Sequence, residues 1–182
     1  MKNKLFPFFP AIIFTLIFAA NIFSQNKSNI FDETRQRIAD KSASAIVETT
    51  FDLEKKAFAL INEIRRINGL KELSWSDDVA KIARQHSISM AGNNFFSHRG
   101  LDGSMINDRA DSIGLTKWRA IGENIAYNRG YAKATEFAVE CWMKSAGHRQ
   151  NLLTASWLET GIGIAVASDG SYYFTQVFLQ RK

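Results

Sequence analysis

Any acid–base or transition-metal chemistry in this chain has three imidazoles to draw on, His86, His98 and His148, among 182 residues. His86 shares a helically spaced apolar face with Val79, Ile82, Ala83 and Met90, where the expected role is a core histidine with its hydrogen bond satisfied. His98 follows Phe95-Phe96-Ser97 and leads into Arg99-Gly100-Leu101-Asp102-Gly103. That run reads as an exposed loop, and loops are where functional side chains gather. His148 follows Gly147, read as a helix stop. It is therefore expected at the carbonyl end of the preceding helix, where an imidazolium gains about 0.3 to 1 kcal/mol. Glu123 is set inside the apolar run Ile121-Gly122-Glu123-Asn124-Ile125-Ala126, and a buried carboxylate needs a partner.

Two imidazoles and one carboxylate are the ligand set of an open zinc site that leaves a fourth position for water. His98, Glu123 and His148 are thus the candidate metal ligands and, in any enzymatic reading, the candidate catalytic residues. Glu123 lies 25 positions from each histidine. No helix-borne pair such as HExxH exists, so only the fold can bring the three together. Other constellations score lower. Cys141 with His148 would make a nucleophile and base, but a cysteine in an apolar helical stripe is far more often inert. There is no GxSxG elbow, Gly-rich phosphate loop or CxxC pair. Trp75, Trp118, Trp142 and Trp157 are spread through the chain and read as core, while Lys55-Lys56 and Arg65-Arg66 read as a solvated helix face.

The elements that must position these residues follow from composition and breakers. With 46% hydrophobic and 23% charged residues the chain is globular. Its net charge of +5 falls to +3 once Lys2 and Lys4 are set aside, too mild an excess to point to nucleic acid. Those two lysines precede an apolar stretch over residues 5–20 interrupted by Pro7, Pro10 and Thr15. Residues 1–24 read as a secretory signal, cleaved after Ala20 or Ser24. The alternative is an uncleaved anchor, because the run approaches the ~20 residues that a membrane span needs. Cys141 is the single cysteine, so there is neither an intrachain disulfide nor a lipid-bearing cysteine at the junction. Residues 25–50 are polar and read as a linker with a short helix over 32–41, leaving residues 51–182 as the folded domain.

Within that domain, Thr50 or Asp52 caps a first helix that ends at Gly69, and Ser76 caps a second that ends at Gly92. A weaker helix covers 104–113, and a strong one covers 131–145 with Gly147 as its stop. The period then changes from helical to alternating. Residues 161–168 and 172–180, joined by Asp169-Gly170, read as an antiparallel hairpin. Gly161, Gly163, Ala165 and Ala167 share one strand face, which leaves room for something bulky to approach closely. The fold class is α+β.

The motifs now have an order: Phe96-Ser97-His98, then Gly122-Glu123-Asn124-Ile125-Ala126, then the run from Trp142 through Gly147-His148-Arg149-Gln150-Asn151 to Leu153, then Thr175-Gln176-Val177-Phe178. Over residues 53–179 this resembles the CAP superfamily, the cysteine-rich secretory, antigen 5 and pathogenesis-related class 1 proteins with an SCP domain, and most nearly its short bacterial secreted branch. The resemblance implies a three-layer α-β-α sandwich with a small antiparallel sheet. It also implies an open cleft of histidines and glutamates that holds a divalent cation such as Zn2+. His98 matches the first cleft histidine and Glu123 the glutamate of the Gly-Glu-Asn motif. Ser145 stands where a second glutamate is found in the eukaryotic pattern and Tyr173 where its last histidine is found. His148 is then expected to supply the missing imidazole. The disulfides of the family are absent.

Three functions remain open. The first is a secreted, non-enzymatic module whose cleft binds a divalent cation and a small-molecule or peptide ligand. The second is a metal-assisted hydrolase of peptides or cell-wall material, with Ser145 or Tyr173 as auxiliary donor. The third is a lipid- or sterol-binding effector. The expected partner is a small-molecule, lipid or protein ligand met outside the cytoplasm, with the membrane involved only through an uncleaved anchor.

Overall fold

The folded unit opens on a helix because Thr49 and Asp52 cap each other. The Thr49 hydroxyl accepts from the Asp52 N–H, and the Asp52 carboxylate accepts from the Thr49 N–H, both at 3.2 Å. The computed structural model describes residues 48–182, together with Glu33 and Arg35. The signal segment, the short helix over 32–41 apart from Glu33 and Arg35, and most of the linker lie outside the described residues. Helix α1 (Thr50–Ile67) is followed by β1 (Ser74–Trp75), α2 (Asp77–Asn93), α3 (Ile106–Ser112), β2 (Trp118–Asn128), α4 (Ala134–Lys144), α5 (Ala146–Leu153), β3 (Glu159–Val166) and β4 (Tyr172–Arg181).

Two helix stops differ from the expected ones. Helix α2 runs through Gly92 and ends at Asn94, which takes the left-handed conformation at φ 51°, one that asparagine tolerates better than other non-glycine residues. Helix α4 breaks at Ser145, whose backbone is extended, and a new helix begins at Ala146. Gly147 is therefore no terminator, and His148 stands in the first turn of α5 rather than at the carbonyl end of α4. At the N-terminal end of α5 the helix dipole disfavours an imidazolium.

The strands form one sheet in the order β1-β3-β4-β2. The β3–β4 hairpin turns at Gly170, at φ 82°. Strand β2 pairs antiparallel with β4 along almost its whole length, and β1 adds a two-residue parallel pairing to β3. The sheet is thus mixed rather than purely antiparallel. Strand β2, read from sequence only as an apolar run, exists because β4 offers it a partner.

Alternation along β4 divides the core into two layers. Phe174 and Phe178, with Ile162 of β3, pack against Ile61, Ala138 and Trp142 of α1 and α4. Val177 and Leu179 pack on Val79, Ile82 and Ala83 of α2 and on Ala110 of α3. Burial of side chains this size contributes about 1.5 to 3 kcal/mol each. The result is the α-β-α sandwich, with α1, α4 and α5 on one face and α2 and α3 on the other. The small-residue face of β3 is where α2 lies. A Cβ at Gly161 would stand 2.1 Å from the Ala80 nitrogen, and one at Gly163 2.1 Å from the Arg84 nitrogen.

Arg65 corrects the solvated-face reading of Arg65-Arg66. It is fully buried and donates to the carbonyl oxygens of Lys71, Leu152 and Thr154. A charge can be buried there because the end of α5 presents carbonyls with no helical partner, and the guanidinium ties α1 to that end.

Candidate functional site

Strand β2 is an edge strand, and its alternation aims neighbouring residues at opposite layers. Glu123 is in register with Val177 and shares its face, toward α2 and α3, while Asn124 is in register with Gln176 and faces α5. The Gly-Glu-Asn motif therefore gathers two sets of groups around one strand edge.

On the first face, the Glu123 side chain is only 3% exposed. Its Oε1 accepts from His98 Nδ1 at 2.7 Å and its Oε2 from Arg109 Nη2 at 2.6 Å. An ionised carboxylate can only accept, so Nδ1 carries the proton and Nε2 is the ring nitrogen left for a ligand. Arg109 also donates to the carbonyl oxygens of His98 and Ser104, at 3.1 and 3.0 Å, which holds the loop between α2 and α3 at two points. His86, buried on α2, donates from Nε2 to the Ser97 carbonyl at 2.9 Å. Burial lowers the His86 pKa, and the nearby Glu123 carboxylate opposes that shift. A buried imidazole and a half-buried guanidinium thus grip consecutive carbonyls, those of Ser97 and His98.

On the second face, Asn124 Nδ2 donates to the His148 carbonyl at 3.2 Å. Asn151, one turn further along α5, donates to the Glu123 carbonyl at 3.2 Å and to Asn124 Oδ1 at 2.9 Å. The indole of Trp142 donates to the Ile125 carbonyl at 2.9 Å. These side chains occupy the outer carbonyls of β2, which would otherwise form an open sheet edge, and they fix His148 beside the strand. The His148 pKa is lowered, chiefly by burial and secondarily by the neighbouring His98.

Between the two sets lies an open cavity of about 450 Å3. Phe96, Met105 and Ile125 form its apolar wall, and Ser97, His98, Arg99 and His148 form its polar one. The structure brings His98 and His148 to this single cavity and sets Glu123 behind His98. Tyr173 is 4% exposed in a small cluster with Met90 and Ile125, and Ser145 separates α4 from α5. Neither lines the cavity. Cys141 is a partly buried free thiol on α4.

A divalent cation fits this donor set poorly. Each Glu123 oxygen is already held, one by an imidazole N–H and the other by a guanidinium, and the carboxylate does not line the cavity. Among the described residues no three His, Cys, Asp or Glu side chains gather as a cation-holding group. Two imidazole nitrogens remain, beside the cations of Arg99 and Arg109.

Sequence reasoning missed Arg109, Asn124 and Asn151. The first had a signal in the requirement that Glu123 find a partner, and the other two stand within the motifs that carry His148 and Glu123.

The model of the cysteine-rich secretory protein family, CAP, matches residues 58–178. The chain is 39% identical over 128 residues to the Bacillus subtilis membrane protein YlbC, and 36% identical over 126 residues to YkwD of the same organism. These matches cover 70% and 69% of this chain but 34% and 46% of those proteins, so the chain spans less than half the length of either relative. Among solved structures, an extracellular SCP-domain protein from Bacillus anthracis is 31% identical with a TM-score of 0.62, covering 71% of this chain and 40% of that one. The family match takes in His98, Arg109, Glu123, His148 and Asn151 together, and with it the two-sided construction around β2: the chain belongs to the CAP family.

Proposed function

We propose that this chain works outside the cytoplasm as a non-enzymatic binding module, and that the cavity beside β2 is where its ligand sits. The N-terminal apolar segment, read as an export signal, supports the location, as does the extracellular B. anthracis relative. The observation that carries the binding reading is the cavity wall itself. An oriented imidazole and a second imidazole line the same cavity as an apolar surface, and among the described residues no serine, threonine or cysteine side chain hydrogen-bonds a histidine. Such a wall recognises without supplying a nucleophile. A divalent cation is left out of this reading because Glu123 stands behind His98, held by His98 and Arg109, rather than in the cavity wall.

A hydrolase is the second reading, and one contact favours it. The 2.7 Å bond from His98 to Glu123 is how a general base is oriented, with Nε2 free to take a proton from water. One experiment separates the two. A mixture of short peptides and muropeptides is screened against the full chain by ligand-observed NMR, then followed for a day. Binding that disappears in His98→Ala, with every ligand chemically unchanged, is the expected result. Product formation abolished by Glu123→Gln would replace the binding reading with the hydrolytic one.

A further inference from the structure

We infer that the cavity is built for an anion rather than a cation, and that its ligand carries a carboxylate on an apolar or aromatic group. This deepens the reading of the cavity as a ligand site and rests on it.

The charge inventory carries the inference. No acidic side chain lines the cavity. Glu123, the carboxylate behind it, is 3% exposed and is held on one oxygen by Arg109 and on the other by His98. Asp102 of the loop beside it and Asp108 in the first turn of α3 turn onto nearby groups of their own segment. Asp102 accepts from Ser104 at 3.0 Å from the N–H and 2.7 Å from the hydroxyl, and Asp108 accepts from the Met105 N–H at 2.8 Å. Arg99, which lines the cavity, donates to the Gly103 carbonyl at 2.8 Å, and among the described residues it forms no ion pair. With Arg109 cancelling Glu123, the Arg99 charge stands uncompensated at the mouth of a half-apolar cavity. Coulomb attraction there acts against fewer water molecules than on an open surface.

His98 completes the fit. Glu123 accepts the hydrogen bond from Nδ1–H and fixes the ring from behind, so that the imidazole stands in the cavity wall beside Arg99. Arg99 offers the planar donor geometry that a carboxylate matches. The apolar side of the ligand has its surface too. Phe96 is 51% exposed and lies with its ring centroid 6.2 Å from that of Tyr127, itself 46% exposed. Together with Met105 these rings extend the apolar wall out of the cavity, which a bare inorganic anion would leave unused.

The test is calorimetric titration of the full chain with four probes: 3-phenylpropionate, N-acetyl-glycyl-phenylalanine, the amide of that dipeptide, and inorganic phosphate. Both acids are expected to bind one to one, the amide at least tenfold more weakly, and phosphate more weakly still. Arg99→Gln should cost the acids about tenfold, a factor the amide does not lose. Arg99 is exposed, so this variant leaves the fold intact. Tighter binding of the dipeptide acid than of phenylpropionate would identify a peptide C-terminus as the source of the carboxylate, and the reverse order would identify a small organic acid. Equal binding of acid and amide, both lost in His98→Ala, would overturn the anion inference while leaving the cavity a binding site. Phosphate binding as tightly as the acids would overturn it by reducing the site to a basic patch. Absence of binding by both acids would overturn it as well.

Discussion

Two glutamates in this domain are buried almost to the same degree, and each is paired with an arginine, yet they serve different ends. Glu54 of α1, with its side chain 2% exposed, accepts three hydrogen bonds from Arg84 of α2 at 2.6 to 3.0 Å and one from the Ile164 N–H of β3 at 3.3 Å. Its acceptor capacity is spent on the frame, joining α1, α2 and the sheet. Glu123 gives one oxygen to Arg109 and the other to an imidazole that lines a cavity. The same ion pair is a staple in the first place and the rear support of a binding wall in the second. What distinguishes them is the third partner: a backbone N–H closes a carboxylate off, whereas a histidine passes its polarity outward.

The sharpest way to break the first pair leaves both its charges in place. A Cβ at Gly163 would stand 2.1 Å from the Arg84 nitrogen and 2.3 Å from the Ala83 carbonyl carbon, and backbone cannot rotate aside. Gly163→Ala must lift α2 from β3 and draw Arg84 off Glu54, at an expected cost of about 3 kcal/mol or more. Urea unfolding of the full chain measures it, and a loss below about 1 kcal/mol would show that the helix does not lie as closely as described.

Removing each arginine in turn asks whether the pairs differ in burial as well as in role. Arg109→Met leaves Glu123 charged, 97% covered and without its cation, which costs about 3 to 5 kcal/mol and also frees the carbonyls of His98 and Ser104. Arg84 is 34% exposed, so water can partly replace it. Arg84→Met is expected to cost about 1 to 3 kcal/mol and to leave ligand binding at the cavity unchanged. Equal losses in the two variants would erase the distinction.

Much of this frame is legible in the sequence, because periodicity and breakers are local signals. The apolar stripe of α1, the Asp169-Gly170 hairpin and the cleared face of Gly161 and Gly163 each announce themselves within a few residues. Strand β2 does not, since its pattern alternates large and small groups that only β4 sorts into faces. Arg65 resembles its exposed neighbour Arg66 until α5 brings unpaired carbonyls to it. For the site, the three polar residues read from sequence are those around β2, but their division of labour is a long-range fact. Glu123 signalled only that it required a partner. That the partners are Arg109 and His98, one to each oxygen, follows from α3 and the loop before it folding back onto the strand.

Replacing each pair whole, rather than halving it, separates stability from function. An ion pair exchanged for apolar groups of similar volume is often neutral in stability. Glu54→Leu with Arg84→Met, and Glu123→Leu with Arg109→Met, should each recover most of the stability lost in the single arginine variants. Ligand binding should survive the first exchange and vanish in the second, because His98 then has nothing to orient it. Binding retained in the second would mean that the imidazole is placed by the His86 bond to the neighbouring Ser97 carbonyl alone.

The smallest effect expected is a pH dependence confined to the cleft side. His86 donates to the Ser97 carbonyl while facing Glu123, Arg109 and His98, and burial lowers its pKa below the ordinary histidine value near 6.5. A base with a depressed folded-state pKa binds more protons when unfolded, so stability rises with pH across the window between the two values. The contribution is complete above about pH 6.5 and is lost as the pH falls below it. His148, also depressed by burial, adds a change of the same sign. His86→Gln keeps a donor for the Ser97 carbonyl but does not titrate, so its melting temperature should decline less than that of the wild type between pH 7 and pH 5. Around Glu54 and Arg84 no histidine stands to impose such a slope. Identical slopes in the wild type and His86→Gln would remove His86 from the account and leave the acid sensitivity of the cleft to His148.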